Sequence, residues 1–161
     1  AMQEKHYAAA AEALSAALAI NPANPQARAD YVLALTRLHK FQQARTAFEP
    51  LAGEVLADRR IAAIAVLLDA TEAAASVDGE AEARAAVTEA PEDNARRLTL
   101  AQWLMAQSRW AEAMDELLVI VERDRAFGDD IARRTMLAIF EFCPDAALVS
   151  SYRRRLSASL H

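Results

Sequence analysis

The chain has 161 residues, a formal net charge of -5 at neutral pH, and 54% hydrophobic residues. That hydrophobic share excludes a disordered chain, and the acidic balance excludes a general nucleic-acid binder, which needs a basic face to displace counterions. Three glycines and five prolines are too few turn residues for a β-sandwich or barrel of this length, and the longest apolar run, Ile61 to Leu68, falls well short of a membrane span.

The first predicted helix, Glu4 to Ile20, carries the pattern Tyr7-x-x-Ala10-x-x-x-Leu14-x-x-Ala17, and Pro22 ends it. Positions at i, i+3, i+7 and i+10 share one helical face. The second helix, Gln26 to Leu38, directs Tyr31 and Leu35 inward. Phe41-x-x-Ala44-x-x-x-Phe48-x-x-Leu51 then repeats the first face after 34 residues. An overlong helix over Asp58 to Val77 breaks at Asp78-Gly79 and is followed by Gly79 to Ala90, which keeps a closing Pro91 but has no aromatic residue.

Asn94 to Gln107 is the next helix, with Leu100, Ala101 and Leu104 inward; Val32 is a poorer match than Ala101 for a place that favours a small side chain. Trp110-x-x-Ala113-x-x-x-Leu117-x-x-Ile120 lies 69 residues after the Phe41 pattern, the same interval that separates Pro22 from Pro91. Beyond Asp124 the repeat fades. Asp129 to Phe142 reads as a helix with Ile131, Thr135 or Met136, Ile139 and Phe142 inward. Cys143-Pro144 breaks it and Asp145 is a plausible N-cap. The last helix, Ala146 to Leu160, is apolar at Leu148, Val149, Tyr152, Leu156 and Leu160.

A bulky residue between two helices, an alanine that lets the partner approach, and a proline that stops the second helix describe a tetratricopeptide hairpin. The expected fold is all-α: antiparallel hairpins of this type stacked in a right-handed superhelix, closed by a C-terminal capping helix pair. The expected organisation is one helical-repeat domain, with a half repeat at 1–24, a repeat at 25–57, a degenerate repeat at 58–92, a repeat at 93–126 and the helix pair at 127–161. A half repeat leaves an apolar face. It either caps itself or continues a longer protein, with Ala1-Met2 a tag remnant, and its open face is one through which two copies of the fragment could pair.

No enzymatic site is expected. His6, His39 and His161 fit no metal-ligand spacing, and no phosphate-binding loop or nucleophile elbow is present; neither a metal nor a cofactor is implied. Cys143 has no CxxC partner, which suits a structural thiol in a reducing, cytoplasmic setting. The second, fifth, ninth and twelfth places of the repeat would line a concave groove: Gln26, Ala29, Leu33 and Thr36, then Ala95, Leu98, Gln102 and Met105. That groove is neutral and rather apolar, suited to a helix or extended apolar segment, unless Leu33, Leu98 and Met105 pack inside the fold. Arg153-Arg154-Arg155 is either a solvated helix end or a docking patch beside Tyr152 and Leu156.

The segment from Pro91-Glu92-Asp93-Asn94 through Trp110-x-Glu112-Ala113 and Ala132-Arg133-Arg134, closing with Leu148-Val149-x-x-Tyr152-Arg153-Arg154-Arg155-Leu156, resembles the C-terminal region of the bacterial thioredoxin-like co-chaperones called chaperedoxins. The resemblance implies a thioredoxin domain upstream of this chain, a holdase that keeps unfolded clients, and docking to a GroEL-type chaperonin through the last helix. Carried over, the contacts become Tyr152, Arg153, Arg154, Arg155, Leu156 and Leu160. Cys143-Pro144 stands where that family commonly has a glycine-containing turn, and His161 where an apolar residue is common. A generic repeat scaffold assembling an unrelated cytoplasmic complex is the alternative.

Overall fold

A computed structural model describes residues 2–161. Among them the chain forms nine α-helices and no strand: α1 (Met2–Ile20), α2 (Pro25–Arg37), α3 (Phe41–Phe48), α4 (Arg59–Ala75), α5 (Gly79–Glu89), α6 (Asn94–Ala106), α7 (Trp110–Arg123), α8 (Phe127–Phe142) and α9 (Ala146–Ser159). It divides into two compact units, Ala1–Leu68 and Asp69–His161. The division falls inside α4, within the segment expected as the degenerate repeat.

In the first unit α1 packs on α2 and α2 on α3. Asn24 caps α2, its side chain accepting from the amides of Gln26 and Ala27, both at 3.1 Å, and Pro25 occupies the first turn, where no donor is needed. Tyr7 of α1 hydrogen-bonds Arg37 in the last turn of α2; burial draws that guanidinium below its ordinary value and the tyrosine opposes the shift. α1 buries Ala11 and Leu18, whereas Tyr7, Ala10 and Leu14 are half-buried and Ala17 is exposed. The repeat face is therefore only partly closed in this helix. α3 also departs from expectation. Pro50 has no N–H to give to Thr46, so the α-helix stops at Phe48 and Glu49–Glu54 winds on as a 3-10 helix. The tighter winding still buries Leu51.

In the second unit α5 packs on α6, α6 on α7 and α7 on α8, while α9 packs back on α7. Ala113, Leu117 and Ile120, the repeat face of α7, are fully buried, together with Met114, Leu118 and Val121 on the adjoining face. Asp93 caps α6 as Asn24 caps α2. Arg97 then donates to the Pro91 carbonyl at 3.1 Å as Arg28 does to that of Pro22 at 3.0 Å. The 69-residue interval thus recurs in caps and turn-closing arginines as well as in apolar positions.

It also recurs in backbone conformation. His39 and Ser108, which follow α2 and α6, have φ of +57° and +59°. The next amides, Lys40 and Arg109, donate to the carbonyls of Leu35 and Leu104, both at 2.9 Å. This is the Schellman closure that glycine usually supplies. Ser108→Gly relieves the left-handed cost of an L-residue and is expected to stabilise the protein by about 0.5–1 kcal/mol, read as a rise in thermal midpoint.

Between α7 and regular α8, Gly128, Asp129 and Asp130 are all left-handed, with φ of +58°, +60° and +66°. The regular helix therefore starts at Ile131, later than the expected Asp129. Aspartate tolerates this region better than most residues. Arg133 also holds the Asp130 carboxylate at 2.7 Å, and Arg134 donates to the Asp129 carbonyl at 3.1 Å.

The degenerate repeat keeps its buried alanine as Ala83, one residue later than a count from the start of α5 suggests. Three residues before it, in the aromatic's place, stands Glu80. Its carboxylate meets Arg84 at 2.8 Å and Arg109 at 2.7 Å, and Glu112 meets the same two arginines at 3.0 and 2.7 Å. The hydrogen bonds from Arg109 and then Arg84 hold Glu80 at about 2, and Arg109 likewise lowers Glu112. A depressed folded-state value contributes stability above the unfolded carboxylate range that is lost as pH falls through the folded value. Acid titration from pH 5 to 2 should therefore destabilise wild type more steeply than Glu80→Gln, followed by helical circular dichroism.

Candidate protein-binding site

α9 is built onto the unit by its inner face. Asp145 caps it, accepting from the Leu148 amide at 3.1 Å. Tyr152 and Leu156 are buried. The Tyr152 hydroxyl donates to Asp115 of α7 at 2.5 Å, and Arg155 reaches the same carboxylate at 3.3 Å while lying 4.8 Å from the Tyr152 ring centre. Burial first, and then the Asp115 bond, raise the Tyr152 phenol above its ordinary value. Arg125 donates to the Leu160 carbonyl, and the Ser159 hydroxyl donates to Glu122 at 3.4 Å.

The six residues expected to contact a partner therefore separate. Tyr152 and Leu156 belong to the packed face and present no free side chain, a correction that follows from the apolar spacing of α9. Arg155 is committed to Asp115, and Leu160 is half-buried at the helix end. Arg153 is exposed, its guanidinium 5.2 Å from the Phe140 ring of α8, and Arg154 is exposed with no ion-pair partner among the described residues. What α9 offers outward is basic.

The groove positions separate in the same way. Ala29, Thr36 and Met105 are completely buried and line no open surface. Thr36 lies on the inner face because its hydroxyl can donate back to the Val32 carbonyl, at 2.7 Å, and needs no water. In the first unit Gln26 is exposed and Leu33 half-buried; in the second Ala95 is exposed, and Leu98 and Gln102 are half-buried. Leu137 of α8 is the one large apolar side chain exposed within the body of the second unit's described helices. Met105 is thus a core residue, whereas Leu33 and Leu98 keep some surface. Cys143 is buried at the C-cap of α8.

Two features escaped the sequence. The turn-closing Arg28 and Arg97 carry a signal, since each stands six residues after a proline, and the paired prolines are 69 apart. The Glu80 cluster carries only a faint one, because it joins two segments about 29 residues apart in the chain. Among the described residues no group of three or more His, Cys, Asp or Glu side chains could hold a metal ion, and no helix is long and apolar enough to cross a membrane.

Helix pairs joined by short turns, each packed on its neighbours and closed by the same caps, define an all-α helical-repeat protein, a class that presents rigid surfaces to other proteins. Residues 72–161 match one tetratricopeptide repeat family model and residues 1–68 match another. The chain belongs to the tetratricopeptide repeat family, and its repeats form a protein-interaction scaffold. Comparison with the curated proteins yields no match.

Proposed function

We propose that this scaffold is the repeat region of a thioredoxin-like co-chaperone, which holds unfolded clients and docks to a GroEL-type chaperonin through the outer face of α9. The observation that carries the proposal is the division of α9 into a packed face, Tyr152 and Leu156, and an outward basic face, Arg153 and Arg154. A docking helix needs both: one side fixed to a rigid body, the other free and of one charge. The resemblance of the Tyr152-Arg153-Arg154-Arg155-Leu156 block to the co-chaperones supports the choice of partner. In the second unit half-buried Leu98 and exposed Leu137 offer apolar surface for a client segment.

Deleting 146–161 would uncover α7 and strip Asp115 of Tyr152 and Arg155, so loss of binding would not separate docking from damage. The double substitution Arg153→Glu/Arg154→Glu changes exposed groups only. Purified chaperonin should bind the wild-type chain and bind this variant at least about tenfold more weakly, with unchanged circular dichroism. Equal binding by both, or none by wild type, overturns the chaperonin assignment and leaves a scaffold for a different complex.

A further inference from the structure

The ion cluster at α5 is a closed ring: Glu80 touches Arg84 and Arg109, and Glu112 touches the same two arginines. It joins the first turns of α5 to the start of α7, where the aromatic–alanine face of the other repeats would place an apolar wedge. The rest of α5 is thinly held. Ala83 is its one buried residue, and Gly79 opens the helix at φ +88°, a conformation that favours glycine. Arg96 of α6 reaches α5 at the Ala86 carbonyl, 3.3 Å, and at Glu89, 2.9 Å. Leu100 and Trp103 share that face of α6, four and seven residues on. The Arg109 guanidinium lies 5.9 Å from the Trp103 ring centre, so one member of the ring borders this strip.

We infer that α5 is a salt-sensitive flap: it opens from α6 by itself, ahead of the rest of the unit, and uncovers the apolar strip of Leu100 and Trp103. Two physical facts set this behaviour. Local opening begins where few apolar contacts are buried. Exposed ion pairs are weak and screened by salt, with a Debye length that falls from about 30 Å at 0.01 M to about 3 Å at 1 M, whereas an aromatic wedge is indifferent to salt. The flap is independent of what α9 binds.

Amide hydrogen exchange of the intact chain, followed by mass spectrometry at 20 mM and 500 mM NaCl, tests the flap. The α5 amides should exchange faster than those of α7 at both salts. Raising the salt should speed α5 by about three- to tenfold, as screening of two or three exposed pairs allows, and leave α7 unchanged. Glu80→Phe removes two of the ion pairs and should slow α5 and weaken its response to salt, while the Arg84–Glu112 and Arg96–Glu89 pairs keep part of it. Protection of α5 equal to that of α7, a salt response shared by both helices, or none in wild type would each overturn the inference.

Discussion

Leu117→Ala is expected to lower the stability of the second unit by about 3–4 kcal/mol, the range for a leucine whose loss leaves an unfilled cavity. Leu117 has no exposed surface and lies in the middle of α7, the helix that packs on α6, α8 and α9 alike. Its neighbours on that helix, Ala113, Met114, Leu118, Ile120 and Val121, are buried too, and no backbone break allows the helix to settle into the gap. Leu14 stands at the corresponding place in α1 but is only half-buried. Leu14→Ala should therefore cost less than half as much. Urea unfolding of the two variants measures the contrast, and equal losses would show that burial does not set the cost.

The second large effect is expected at Arg97 and Glu116, which meet at 2.5 Å across α6 and α7 with side chains 12% and 21% exposed. A charge left alone at such a site keeps its desolvation cost and loses its partner. Glu116→Leu strands the better-buried arginine, whose Nε already lacks a partner, and is expected to cost about 3 kcal/mol. Arg97→Met strands the carboxylate, which retains more access to water, so it should cost less. The double variant removes both charges and should recover most of the stability. A double-mutant cycle from denaturant unfolding gives the coupling; additive losses would mean that the pair does not act as a unit. Arg97→Lys should not restore the wild type, because the arginine also donates to the Pro91 carbonyl and a lysine lacks the fork that serves two acceptors.

The comparison of Leu14 with Leu117, and of Glu80 with Phe41 and Trp110, marks the border between local pattern and tertiary context. The helices were legible because their signals are local. An apolar face recurs at helical spacing, Pro22 and Pro91 stop helices, Asp145 caps one, and Asp78-Gly79 breaks the chain where α5 begins. Each is fixed by residues within one or two turns. The interruption of α3 at Pro50 was equally local and was masked by the buried Leu51, which kept the expected face.

Sequence by itself therefore determined that this protein is a series of tetratricopeptide-type helix hairpins, because the repeat is written in spacing and spacing survives without coordinates. Tertiary structure alone decided which side of each helix is free. Tyr152 and Leu156 pack inward while Arg153 and Arg154 remain outside, Met105 enters the core while Leu98 does not, and Glu80, Arg84, Arg109 and Glu112 close a ring drawn from two separate segments. A helical face has a fixed period, but what lies against it is set by other helices, and that is the quantity on which binding and local opening depend.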